Sequence, residues 1–376
     1  MTQKTPVVFI VLLIALSHAV PVVAAGGEPP LCVPGAEGDD CLMAGPAAYL
    51  QQQAAFGITF PLTPLVAADP PAELRNLPYS YARITVDGPA EVFASPEDGR
   101  NKIVKRVIPA GLRYITWLDT FDYEGKTYVM LAPGEWMRRI DLSLGVAPSA
   151  FAGKLFSATP ERPFGWTLIA TESQRAPGLD APLTGRVYTR WDMFQVYDIR
   201  ETGGLRYYLI GPDEWLSARW AAIVEPMAAP PAGVDNGRWI EINLEQQTLA
   251  VYQEGQLLFA TLTSTGLNNW WTRPGLFPIY EKHESTPMTG AFEADRSDYY
   301  NLEDVPWTMY FDEARALHGA YWHQNYGFEN SHGCANLSPS DSNWLYNWAE
   351  LGDWVYVHDP SGQTPTDPSL YGEGGA

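Results

Sequence analysis

Two segments of this 376-residue chain repeat one pattern, with Tyr128 and Tyr207 standing 79 residues apart. The stretch Tyr128–Met137 (YVMLAPGEWM) aligns with Tyr207–Leu216 (YYLIGPDEWL). Each copy follows a glycine turn, Gly125 in one and Gly203-Gly204 in the other. An offset of that size describes a domain-sized unit rather than a solenoid repeat. The middle of the chain must therefore hold two small units of one kind. Lys102–Val107, Arg113–Leu118 and Tyr128–Leu131 alternate apolar and polar residues, which fits a small barrel of short strands. Composition agrees: with 33 Gly, 32 Pro and 13% aromatic residues, and few long amphipathic helical patterns, the chain reads as short strands joined by turns. Trp136 and Trp215, at matching positions, are expected to anchor the two cores.

The N-terminus has a different character. Residues 1–25 run from a head carrying Lys4 through the apolar stretch Val7–Leu16 to Val23-Ala24-Ala25. A basic head, a short apolar run and a small-residue cleavage site make a secretory signal, predicted to be cut after Ala25. Cysteine is absent from the cleavage point, which argues against a lipid anchor. In an oxidising compartment Cys32 and Cys41 are candidates for a disulfide within the segment 26–76. The formal net charge of −20 argues against nucleic acid or an anionic membrane surface as partner.

Organisation follows from the punctuation. The segment 77–148 is expected to hold the first unit and 149–227 the second. A Pro/Ala/Gly-rich linker occupies 228–237. Beyond it, Trp239–Leu244, Gln247–Tyr252 and Leu257–Leu262 alternate cleanly, with Glu254-Gly255 as a turn, so an antiparallel meander opens a third domain at 238–360. Ser338-Pro339 followed by Asp341 reads as a helix start, with Trp344, Leu345 and Trp348 facing the core and Gly352 as the stop. Asp353–His358 reads as a closing strand, and 361–376 as a flexible tail. The two repeated units resemble bacterial SH3-like modules, a resemblance that implies wall binding or substrate framing beside the alternative of a rigid spacer.

Chemistry concentrates near the end. His318, His323 and His332 fall close together, and Cys334 follows. A tetrahedral zinc site could use three imidazoles and a thiolate, but the spacing H-x4-H-x8-H-x-C lacks the short ligand pairs common in such sites. Nucleophilic catalysis fits better: a thiolate is a strong nucleophile, and an imidazole can generate it. Gly333 permits the backbone of a tight loop, and the amides of Gly333 and Cys334 are candidate oxyanion donors. No metal or organic cofactor is expected. Trp270 and Trp271 are candidates for a substrate lip or a structural cap.

The run from His318-Gly319 through His323 to Ser331-His332-Gly333-Cys334-Ala335-Asn336 resembles the signature of the L,D-transpeptidases, the YkuD-type catalytic domain. Thr272–Phe277 and Val305–Phe311 extend the resemblance. It implies a C-terminal YkuD-type β-sandwich with a short helix after the catalytic loop; with the two small SH3-like β-barrels expected from the repeat before it, the fold class is mainly β. It implies Cys334 as nucleophile, His318 as base and the Gly319 carbonyl as the group orienting that imidazole. His332 and Gly333 would shape the oxyanion pocket, and Ser331 would support the loop. Asn336 stands where many members carry arginine. With Tyr310, Trp307, Met309 and His323 it forms the expected substrate-binding set, His323 being equally readable as structural. Donor and acceptor would be peptidoglycan stem peptides, in a periplasmic or cell-wall location. Water as acceptor would make an L,D-carboxypeptidase, and a protein amine a wall-anchoring enzyme. A wall-binding protein without activity, or a redox protein, are the competing classes. Oligomeric state stays open at this stage.

Overall fold

The computed structural model describes residues 46–59 and 62–371. The predicted signal segment and the Cys32–Cys41 pairing lie outside the described residues. The chain divides into two compact units, Met1–Ala55 and Phe56–Ala376. The described part of the first is one helix, Pro46–Ala55. Among the described residues, no helix is long and apolar enough to cross a membrane.

The second unit is mainly β. Its C-terminal part is a sandwich of two sheets. One sheet runs, in spatial order, Gly275–Pro278, Trp354–His358, Arg238–Asn243, Thr248–Gln253, Gln256–Leu262 and Lys154–Leu155. The predicted meander is its centre, and the closing strand inserts beside Arg238–Asn243 in parallel. The facing sheet contains the hairpin Glu281–Gly290 with Tyr300–Asp312, then Arg315–Gly319 and Ala335–Leu337. Period-2 alternation sends Ile240, Ile242, Val251 and Phe259 from one sheet, and Met309, Phe311, Leu317, Ala335 and Leu337 from the other, into one core. Fully burying each such side chain contributes about 1.5–3 kcal/mol.

The helix Pro339–Trp348 closes this core. Ser338 caps it, accepting from the Asp341 amide at 3.2 Å, with Pro339 in the first turn. It ends at Trp348, short of Gly352. Leu345 is fully buried, whereas Trp344 and Trp348 pack half-buried against the rim of the core.

The repeated sequence is one repeated structure. The strands Asp119–Tyr123, Lys126–Ala132 and Glu135–Arg138 recur as Asp198–Thr202, Leu205–Gly211 and Glu214–Ser217, at the same offset. The anchor expected at Trp136 is not a core residue. It is half-exposed, while the next residue, Met137, is fully buried, because strand alternation turns Met137 inward. In the second copy Trp215 and Leu216 are both buried.

Beside each meander stands a second, three-stranded element: Tyr81–Ile84 with Leu112–Thr116 and Leu142–Leu144 in the first module, and Phe164–Thr167 with Met193–Gln195 and Ala221–Val224 in the second. In the first module this element is continuous with the sheet that carries Arg315–Gly319 and Ala335–Leu337. Leu112, Arg113 and Tyr114 pair in parallel with Tyr300, Asn301 and Leu302.

Candidate active site

Alternation also builds the site. Leu317 faces the core, so Ala316 and His318 face the opposite side of their strand. Ala335 and Leu337 face the core from the neighbouring strand, so Cys334 and Asn336 share the face of His318. The hairpin Glu281–Asp312 overhangs this face. Beneath it lies a cavity of about 390 Å³ whose wall includes His318, Asn336, Ser331, His332 and Cys334, with Met288, Tyr300, Leu302 and Trp322.

Cys334 is buried, with its sulfur 3.4 Å from the Ala316 amide. Burial pushes the thiol up to about 11, against the smaller opposing effects of that amide and of Arg315. His318 is buried as well, and burial pulls its imidazole down to about 3, with His323 adding to the effect. Thiol and imidazole are therefore both neutral at pH 7. The Gly319 backbone favours the protonated ring, yet Nδ1 of His318 makes no hydrogen bond of normal geometry.

The loop carrying the cysteine is pinned from several sides. Ser331 Oγ donates to the Cys334 carbonyl at 2.6 Å and accepts from the Gly333 amide at 3.1 Å. That amide, one of the two oxyanion donors expected from the sequence, is committed to Ser331 in this state. Thr272 Oγ1 donates to the Gly333 carbonyl at 2.8 Å. Gly333 sits at φ +123°, a conformation other residues rarely adopt.

His332 is held between rings. It stacks on Phe292 at 5.0 Å and on Tyr300 at 5.2 Å, with Trp270 at 4.3 Å. Burial lowers its pKa, against the opposing charge of Asp298 at 3.8 Å. Trp270 is thus part of the wall around His332, whereas Trp271 lies against Tyr371.

His323 has two partners. Its Nδ1 accepts from the Asn325 amide at 3.1 Å, and the nitrogen end of the Asn336 amide lies 2.9 Å from Nε2. Burial lowers the ring to about 4, so it is neutral and carries its proton on Nε2. Two donors would then face each other. Turning the Asn336 amide through 180° resolves the conflict and pairs its otherwise unpartnered oxygen.

The expected groove residues on the long strand do not line this cavity. Met309 is in the core. Trp307 packs beside Gly319, and Tyr310 stacks with Tyr280; burial raises the Tyr310 pKa, and the charge of a Cys334 thiolate adds to it. Alternation puts Met309 and Phe311 on the core face and Tyr300 and Leu302 on the other, and the strand carries positive φ angles at Asp304 and Trp307 between them. Tyr300 and Leu302 take that place. Sequence reasoning missed them, along with Met288, Phe292 and Trp322. Trp322 lies inside the signature and could have been found there.

Residues 237–357 match the family YkuD, described as the L,D-transpeptidase catalytic domain. This segment is a YkuD-type catalytic domain. No curated protein matches the chain. Among solved structures, the Ldtfm-avibactam carbamoyl enzyme is similar at 25% identity, covering 36% of this chain and 54% of that one, with a TM-score of 0.31. An L,D-transpeptidase from Stackebrandtia nassauensis is similar at 26% identity, covering 37% and 63%, with a TM-score of 0.28. The catalytic domain of the E. faecium L,D-transpeptidase is similar at 28% identity, covering 34% of this chain and all of that domain, with a TM-score of 0.30. The chain thus spans between half and two thirds of the first two.

Proposed function

We propose that this chain is an exported L,D-transpeptidase that acts on peptidoglycan stem peptides through a thioester on Cys334. The observation that carries this reading is the placement of Cys334 and His318 on one buried face, in one cavity, within a YkuD-type domain.

In the mechanism His318 takes the thiol proton as Cys334 attacks the carbonyl that precedes a terminal D-residue. The tetrahedral oxyanion collapses, the D-residue leaves with a proton returned by His318, and the acyl group stays on sulfur. An amine of a second stem then attacks the thioester, forming the crosslink and releasing the thiol. Both groups rest neutral, so the thiol proton must pass to His318 for sulfur to form its bond to the carbonyl carbon. Ser331 and Thr272 hold the loop, and His323 fixes the Asn336 amide in the cavity wall. His332, clamped by its rings, shapes the pocket. The N-terminal segment serves as a cleaved signal, and the two repeated modules are read as SH3-like units.

The test is mass spectrometry of the protein and of Cys334→Ala with disaccharide-tetrapeptide stems. Crosslinked dimers from the unaltered protein alone support transpeptidation. Trimmed tripeptides alone move the reading to an L,D-carboxypeptidase, and the absence of both product and adduct overturns it for these stems.

A further inference from the structure

We propose that Arg83, from the first repeated module, binds a carboxylate of the donor stem in a subsite beside the catalytic cavity. This rests on the transpeptidase reading. Peptide stems carry free carboxylates, yet neither lysine nor arginine lines the cavity that holds Cys334, and burial lowers the pKa of each of its histidines. A second cavity of about 240 Å³ shares Trp322 and His323 as a common wall with the first. Its other sides include Arg83, Tyr114, Ser143 and Gln324.

The fold aims Arg83 there for a simple reason. In the strand Tyr81–Ile84, Ala82 and Ile84 enter the module's core, so Tyr81 and Arg83 share the opposite face. Tyr81 stacks on Tyr321 at 3.7 Å, and Tyr114, the cross-strand partner of Arg83, donates to the Trp322 carbonyl at 3.2 Å. Arg83 is thereby set against the loop that walls the active site. Among the described residues it has no ion-pair or hydrogen-bond partner, in a chain whose net charge of −20 offers many carboxylates. Arg190, also at this loop, is already bonded to the Gln324 carbonyl. Arg83 itself is exposed, at the edge of this groove, and a guanidinium without a partner is ready to take a carboxylate through paired, charge-assisted hydrogen bonds.

The test is the concentration dependence of Cys334 acylation in the full chain, followed by intact-protein mass spectrometry. Donors are a stem tetrapeptide and versions with each free carboxylate amidated singly. Arg83→Ala is expected to raise KM about tenfold, equivalent to ~1.4 kcal/mol, with the limiting rate and thermal midpoint retained. Arg83→Lys should recover part of the loss. Amidating one particular carboxylate should impose the same penalty on the unaltered protein and none further on Arg83→Ala, which identifies the group bound. Lys126→Ala, an exposed charge on the module's other sheet, controls for net charge. An unchanged KM in Arg83→Ala, or an equal loss with every amidated stem, overturns the subsite while leaving the transpeptidase reading intact. Absence of any adduct on the unaltered protein overturns both.

Discussion

The two repeated modules share a three-strand meander but meet the catalytic domain in different ways. The first joins it edge-on. Its strand Leu112–Thr116 continues the sheet that carries the site, and Leu112 itself reaches the cavity wall. The contact is polar and specific: Thr116 Oγ1 donates to Asp304 Oδ2 at 2.7 Å, the Thr116 amide donates to Glu303 Oε2 at 3.0 Å, and Tyr81 donates to the Asp304 carbonyl at 2.7 Å. The second module joins face-on. Phe164, Trp166, Ala222 and Val224 pack in one apolar cluster with Trp239, Tyr252 and Leu257 of the other sheet. Edge pairing fixes register and position, whereas face packing supplies burial. One repeated unit therefore serves site geometry in the first copy and stability in the second.

The largest expected effect falls on the face-packed side. Trp166→Ala removes a fully buried indole and should cost about 3–5 kcal/mol in denaturant unfolding. Acylation per folded molecule should persist. A collapse of acylation with stability intact would break the division of labour.

The next concerns the edge. Gly111 stands at φ +144°, and a Cβ there would overlap the Tyr299 carbonyl. Gly111→Val should detach the overhanging hairpin and admit water to the cavity. Burial is the leading cause of the high Cys334 pKa, so that value should fall from about 11 toward the ordinary 9.0. In the unaltered protein and in Trp166→Ala, alkylation of Cys334 should instead rise about tenfold per pH unit until near pH 11. Identical pH profiles for all three would contradict the edge's role. The same Gly111→Val change should slow acylation by about tenfold, read from the rate of thioester formation.

Leu112→Ala should have the smallest effect. Leu112 is 40% exposed, so stability should change by less than about 1 kcal/mol, with KM for the donor rising roughly twofold to fivefold. An unaltered KM would confine the first module to a supporting role.

What was legible in the sequence is what is local. The meander after Trp239, the capped helix at Ser338 and the cysteine loop each rest on neighbouring residues, so alternation, capping and spacing reveal them. Two kinds of feature were hidden. The pairing of Leu112 with Tyr300 joins residues far apart in the chain, in parallel, and neither strand announces its partner. On the long strand Tyr300–Asp312 the expected set Trp307, Met309 and Tyr310 mixed the two faces of one strand: Met309 faces the core, and Tyr300 and Leu302 line the cavity. Trp136 shows the same lesson on a smaller scale: its repeat position was informative, but its side of the strand was decided by Met137.

The most direct measurement is intact-protein mass spectrometry of the full chain after brief exposure to a stem tetrapeptide, beside Cys334→Ala and His318→Ala. The account predicts a thioester adduct, with loss of the terminal D-residue, on the unaltered protein. It predicts none on Cys334→Ala and a rate reduced by at least about a hundredfold on His318→Ala. An adduct that persists in Cys334→Ala, or an unaltered rate in His318→Ala, would contradict it.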